Sequence, residues 1–539
     1  MSGSITLENR FGVNKMELIS LKYAIFVIVL LVLYYCFPKK YRWYVLLAGS
    51  MAYYVIICKW YVLFIIFTIC TTYGSTIWID KLLKKQNAIV KSHKEDWDRQ
   101  TRKDYKEKGR KKRVAVMLFA LLCNFGILAF LKYIPYAGEL GLLLPLGISF
   151  YTFQSMGYVM DVYREIVEPE KNFLKVALFV SFFPQIIQGP IAIYDKLAGQ
   201  LYEGHSLRLE NLQKGALLVL WGVIKKLVIA DRAVNIINFV MDKPMDFSGT
   251  YVFFAAVVYA LQLYADFSGG IDIVRGIAEM FGITMSTNFN HPYFSRSLTE
   301  YWHRWHMTLG DWCRNYIFYP LSISKRFLNF GKWLKPRFGA HISKVLPGCI
   351  ASVITFIVIG VWHGANMKYL YFGLWNGIVI MLAELFAPVN KKVAGGFFKL
   401  TGLREKGIFA TIVSVLWTFM LILVGYYFDI AANASTAFHM LFKSVTDFHI
   451  SELGINNIIL NLGACGLDEY DILLLIICTL LWFFISFVEE NKKLDMRDFI
   501  LSRKLPLRWA IIYLGIFIVI IFGYYGPGVN PADFVYMQF

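Results

Sequence analysis

Stretches of about 20 apolar residues, the length that crosses a bilayer core as a helix, recur along almost all of this 539-residue chain. That pattern excludes an ordinary water-soluble fold. A single soluble core stops growing near about 250–300 residues, and longer chains divide at polar linkers. Lipid must therefore be part of the solvent, and there only elements that satisfy their own backbone hydrogen bonds survive. Candidate spans fall at 19–37, 43–58, 60–79, 114–133, 141–161, 172–194, 212–230, 250–267, 346–363, 367–387, 408–428, 470–488 and 508–525. The expectation is an all-α polytopic integral membrane protein with about 11–13 transmembrane helices, treated as one membrane domain over 1–539 whose C-terminal helices occupy 400–539.

Composition agrees. The chain is 57% hydrophobic and only 17% charged, against roughly 25% charged in an average soluble domain. Its 33 Tyr and 14 Trp residues suit the two membrane interfaces, where one end of the ring is apolar and the other wet. The net charge of +18 would point to nucleic acid in a soluble protein. Here basic loops lying against anionic membrane lipids account for it, and no nucleic-acid partner is expected. The eight cysteines sit mostly inside apolar runs without a C-x-x-C pair, so neither a disulfide framework nor a zinc site is expected. The first apolar run is long enough to span and lacks a small-residue cleavage site, so a cleavable signal peptide is not expected either.

Sidedness follows from the basic residues. Lys39, Lys40 and Arg42 are separated by two spans from a charged segment, 80–113, dominated by Lys and Arg. Both therefore fall on one side, which the positive-inside rule makes cytoplasmic, with the N-terminus outside. The basic segment 490–508 falls on the same side. This places the chain in the plasma membrane as a multi-pass protein. Residues 288–345 carry many cations, among them Arg296, Lys325, Arg326, Lys332, Lys335, Arg337 and Lys344. They are too polar to span and too aromatic for a loose loop, and read as a re-entrant or interfacial cytoplasmic segment.

Ionisable and polar residues within a membrane are costly, so each is a functional candidate. In Trp362-His363-Gly364-Ala365-Asn366, a histidine ends an otherwise uncharged apolar run. A neutral imidazole there can act as a base near neutral pH, or can simply hydrogen-bond two helices together. In Glu300-Tyr301-Trp302-His303-Arg304-Trp305-His306, a continuous helix would put His303, His306 and Glu300 on one face. The tryptophans would wedge the segment into the interface, and a His/His/Glu metal site lacks a further clear ligand, so no metal is expected. Asp266-Phe267-Ser268-Gly269 reads either as a capped helix break or as the lining of a hydrophilic path. Pro145 to Gln154, followed by Phe182-Phe183-Pro184-Gln185 and Gln188-Gly189-Pro190, suggests broken helices around a cavity or ordinary kinks.

Taken together and in order, these segments resemble the membrane-bound O-acyltransferase family, and within it the polysaccharide O-acetylation branch. The resemblance runs over 145–377 as a catalytic core. It is carried by Asp266-Phe267-Ser268-Gly269, Asn288-Phe289-Asn290-His291-Pro292-Tyr293, the Arg304-Trp305-His306 stretch, Trp362-His363-Gly364 and Gly373-Leu374-Trp375-Asn376-Gly377. It implies a ring of helices around a central funnel. It also implies catalytic roles for His363 and His306, with Asp266, Ser268, Arg304, Trp305, Arg314, Asn315, Trp362 and Asn366 in support. The acyl donor would be acetyl-coenzyme A or an acyl carrier protein thioester, with no cofactor bound. The acceptor would be a cell-surface polysaccharide or a separate extracytoplasmic partner acetyltransferase with a Ser/His/Asp site. Two departures stand out: His303 where the branch more often has arginine, and Asn315 where it more often has aspartate, which leaves open how Arg314 is held. D-alanyl transfer from a carrier protein towards teichoic acid, and a transporter or flippase without acyl chemistry, are the alternatives.

Overall fold

The computed structural model describes residues 16–134, 138, 140–142, 144–401, 404, 407–454, 457, 465–526 and 534. The extreme N-terminus and parts of the expected 141–161 span and of the 400–539 region lie outside the described residues. Among the described residues the regular elements are all helical, as apolar periodicity without strand alternation requires. Two compact units emerge. One comprises the chain up to Val219 together with Ile273–Ser286, the other Leu220–Asp272 with Thr287 onward.

Among the described residues seven helices are long and apolar enough to cross a bilayer: Lys39–Ser92, Arg99–Tyr133, Gly249–Met280, Lys325–His363, Ile408–Ile430, Glu469–Lys492 and Leu505–Phe522. Met367–Leu385 with Ala387–Gly396, bent by 67°, makes an eighth. The number is below the expected 11–13 for identifiable reasons. The expected spans at 43–58 and 60–79 are two helices, Arg42–Cys58 and Val62–Ser92, with Lys59 at φ 50° between them, and are counted together in the continuous stretch Lys39–Ser92. Leu21–Cys36, Ile148–Tyr163 and Leu209–Ile224 are 16 residues each. The expected span at 172–194 is broken at Phe182 into Phe173–Ser181 and Phe183–Gln188, because Pro184 starts a new helix and cannot continue the old one.

In the first unit, that break is held by side chains. Gln154 Nε2 donates to the Phe179 carbonyl at 2.7 Å, and Gln185 Nε2 donates to Gln154 Oε1. Gly147 begins the Ile148–Tyr163 helix at φ 71°, a conformation that favours glycine. The chain over 145–190 is thus broken into short helices. Buried Arg42 ties the start of its helix to the chain around it, donating to the carbonyls of Phe37 at 2.9 Å, Tyr35 at 3.0 Å and His205.

The second unit carries all the candidate residues. Its Gly249–Met280 helix runs unbroken past Asp266 and Ser268, so the expected helix break there does not occur. The Lys325–His363 helix changes direction at Gly339, where φ is 80°. Residues 325–338 form a largely exposed basic stretch ahead of the mainly apolar 340–363 part.

Candidate active site

His363 ends the apolar helix, and its neighbours come from the helix that follows. Gly364 and Ala365 turn the chain, and Asn366 caps Met367–Leu385, its Oδ1 accepting from the Lys368 N–H at 3.1 Å. Asn366 Nδ2 donates to the Ala432 carbonyl at 3.3 Å, which explains Asn366 as a structural cap. The two helices then lie backbone against backbone. The Cα atoms of Gly360 and Gly373 are so placed that a Cβ on Gly373 would stand 3.4 Å from Gly360 Cα and 2.3 Å from the Phe356 carbonyl oxygen. Small residues four apart, here Gly373 and Gly377, are the usual means of such close approach in membranes. Gly373→Ala is therefore expected to destabilise by about 1–3 kcal/mol through overpacking, although alanine gains up to about 1 kcal/mol in helix propensity. A lowered thermal midpoint in detergent checks this, and an unchanged or raised midpoint refutes it.

The His363 ring packs against Tyr369, 5.9 Å away and nearly parallel, and against Phe372 at 5.4 Å. It is partly exposed rather than buried as the sequence suggested. The reason is its place at a helix end, past the last tightly packed turn.

His306 is the buried histidine, 5% exposed. The expected common face for His303 and His306 does not form. Leu298–Arg304 ends as a helix, Trp305 is extended, and Met307–Cys313 starts anew. His303 is left exposed. His306 sits between the two helices at φ 43°, ψ 51°, a left-handed conformation uncommon in a residue other than glycine and typical of sites where surrounding structure holds the backbone. What holds it is the preceding segment: the Met307 N–H donates to the Asn288 carbonyl at 2.9 Å, and the Asn290 N–H to the Arg304 carbonyl at 3.0 Å. Asn288, wholly buried, also faces His306 Nδ1 with its Oδ1 at 3.2 Å. Burial of the ring favours its neutral form.

The two histidines, 57 residues apart in sequence, come together through Trp362. Its ring centroid is 6.3 Å from His306 and 5.0 Å from His363. Phe267 meets the His306 ring edge-on at 4.9 Å. Trp305 is no interfacial anchor. It is buried among Tyr301, Phe289 and Tyr264 at 5.7, 5.0 and 5.9 Å. Trp312 is buried too, and Trp302 Nε1–H donates to Asn376 Oδ1 at 3.0 Å. The apolar content that suggested lipid contact serves packing within the unit. A chain of phenols, missed in the sequence, lies beside it: Tyr301 and Tyr426 hydroxyls are 2.8 Å apart, and Tyr259 donates to Asp429 Oδ2 at 2.8 Å.

The remaining candidates are engaged in ion pairs. Arg304 lies 2.7 Å from Glu300 and 3.0 Å from Glu490. Arg314 is held by Asp311 at 2.6 Å, which answers the question raised by Asn315; that residue lies in the π-helical turn Arg314–Phe318. Among the described residues no group of three His, Cys, Asp or Glu side chains is gathered as a metal would need.

Asp266 and Ser268 meet residues that the sequence reading passed over. A π-helical turn, Lys225–Ala230, interrupts the helix from Leu209 to Met241. Lys225 Nζ donates to Ser268 Oγ at 2.9 Å and Asp272 Oδ2 at 2.6 Å. Lys226 Nζ lies 2.6 Å from Asp266 Oδ1 and 2.8 Å from Asp231 Oδ1. Lys226 and Asp231 are five residues apart. In an α-helix that spacing points to different faces, and the wider π turn brings the two round together. Two lysines inside an expected span were themselves the signal.

Comparison with known proteins bears on this site. The model of the membrane-bound O-acyltransferase family matches residues 169–335, a stretch that includes His306 and stops before His363. A probable alginate O-acetylase of Pseudomonas syringae is 30% identical over 315 residues, 58% of this chain and 54% of that protein. A peptidoglycan O-acetyltransferase of Helicobacter pylori is 30% identical over 314 residues, 51% of this chain and 56% of that protein. The match to each thus spans little more than half of the relative's length. A teichoic acid D-alanyltransferase of Bacillus subtilis is 26% identical over 52% of this chain and 67% of its own.

Proposed function

We propose, from the match of residues 169–335 to the membrane-bound O-acyltransferase family, that this chain moves an acyl group, acetyl in our reading, from a cytoplasmic thioester across the membrane to a hydroxyl acceptor. That acceptor is a cell-surface polysaccharide, or a separate extracytoplasmic acetyltransferase that serves one. The observation that carries the proposal is the meeting of His306 with the Trp362-His363 pair around shared aromatic rings. Acyl transfer from a thioester to an alcohol needs a base for the hydroxyl proton and a polar group that orients a reactant. In this reading His363 is the base and His306 the orienting group. Exclusion of water around buried His306 strengthens its hydrogen bonding. The exposed cations of residues 325–344 suit the phosphates of coenzyme A or the acidic surface of a carrier protein, on the cytoplasmic side.

The test is thioester turnover by the purified full-length protein with radiolabelled acetyl-coenzyme A, beside an acetyl-loaded and a D-alanyl-loaded carrier protein. Label released or transferred from acetyl-coenzyme A or the acetyl-loaded carrier supports the reading. Turnover confined to the D-alanyl carrier replaces it with teichoic acid chemistry. Turnover of none of the three leaves a transporter without acyl chemistry.

A further inference from the structure

Three polar atoms converge on one oxygen in the wall of the site. Asn288 Oδ1 faces the Thr308 N–H at 3.1 Å, the Thr308 hydroxyl at 2.9 Å and His306 Nδ1 at 3.2 Å. The backbone N–H settles which end of the amide lies there. It can only donate, so the atom it meets must be the carbonyl oxygen and not the NH₂ group. That oxygen can only accept. The ring nitrogen opposite it therefore carries the proton, and in a neutral imidazole the other nitrogen then bears the lone pair. His306 Nε2 is buried and has no hydrogen-bond partner among the described residues. The groups packed on the ring are Phe267 and Trp362, neither of which titrates.

We propose that Asn288 is a positioning residue that locks His306 as the Nδ1–H tautomer, so that His306 Nε2 accepts a hydrogen bond from an acceptor hydroxyl beside the reacting one, whose own proton goes to His363, and does not donate to the thioester carbonyl. The inference rests on the reading of His306 as a reactant-orienting group and decides which reactant it orients. A lone pair on Nε2 accepts a hydrogen bond from an O–H. A thioester carbonyl offers only lone pairs of its own, and two acceptors repel. The backbone adds to the lock. The hydrogen bond from Met307 N–H to the Asn288 carbonyl fixes both ends of the Asn288–His306 contact, and the left-handed φ of His306 aims the ring at that amide rather than along a helix face.

The experiment is ¹⁵N NMR of full-length protein labelled at histidine nitrogens, with His306→Gln to identify the resonance. The expected result is a proton on Nδ1 and none on Nε2 of His306, retained in Asn288→Asp, which keeps the accepting oxygen, and lost in Asn288→Leu. A proton on Nε2 in the wild type overturns the proposal, and this reading stands even where Asn288→Leu fails to fold. In parallel, Asn288→Leu is expected to lower transfer from acetyl-coenzyme A by tenfold or more, since a wrong tautomer at a comparable histidine costs up to about 10⁴-fold. Binding of acetyl-coenzyme A itself is expected to change by no more than about twofold. Weakened donor binding with unchanged turnover of bound donor would assign His306 to the thioester and overturn the proposal. Should the tautomer be as expected while no thioester is turned over, the proposed function falls and the lock on His306 remains.

Discussion

His363→Ala is expected to lower acyl transfer by about 10²–10⁴-fold, the range for loss of a general base, while leaving the protein folded. The two halves of that expectation have separate causes. The imidazole is the ionisable group that ends an apolar helix, and it is joined to buried His306 through the shared Trp362 ring. Its contribution to stability is small by comparison. The ring is partly exposed, its contacts are to Tyr369 and Phe372, and the helix pair beneath it is joined by Gly360 and Gly373 backbone, which the substitution does not touch. A loss of about 1–2 kcal/mol is the most such a truncation should cost. The comparison is transfer of label from acetyl-coenzyme A by wild type and variant, each eluting as a monodisperse species. A folded His363→Ala protein that transfers at the wild-type rate removes His363 from the chemistry.

Lys226→Met is expected to damage the fold itself. The lysine is 3% exposed, and its partners Asp231 and Asp266 are 1% and 0% exposed. Taking away one member of a buried ion pair costs about 3–5 kcal/mol, because the remaining charge stays desolvated without compensation. Here two carboxylates would be stranded by one substitution, against a total stability of about 5–15 kcal/mol for an ordinary domain. Low yield, aggregation and a sharply lower thermal midpoint are the expected signs. The combination Lys226→Met with Asp231→Asn and Asp266→Asn should recover much of the loss, since neutral groups are far cheaper to bury than ions. A single variant as stable as wild type, or a triple variant no better than the single, would show that the pairing is not what holds these helices together.

The sequence was most legible where the physics is one-dimensional. Apolar length marked the helices, and charge marked the exposed basic stretch before the Lys325–His363 helix turns. The histidines at 306 and 363 were visible because polar groups in apolar surroundings are conspicuous. What could not be read was partnership. Asp266 and Ser268 stood out as polar residues in a span, yet their lysines lie 40 and more positions away on a turn whose π geometry has no sequence signature in periodicity. The Trp305-His306 stretch looked like a continuing helix, because nothing in local propensity announces a left-handed histidine. That conformation is held by hydrogen bonds with Asn288, whose carbonyl accepts from Met307 N–H, and Asn290, whose N–H donates to the Arg304 carbonyl, both in a separate segment. Trp302 and Trp305 looked like lipid anchors for a similar reason: an aromatic ring has the same composition whether it meets a headgroup or another ring.

The glycine contact between the Lys325–His363 and Met367–Leu385 helices bears on how the site answers to its bilayer. Helices separated by interdigitated side chains can slide or splay as the membrane thins or thickens. Two helices whose backbones touch have little slack, so the pair tilts as one piece to relieve hydrophobic mismatch. His363 rides at the end of that piece, so its orientation is expected to follow lipid chain length.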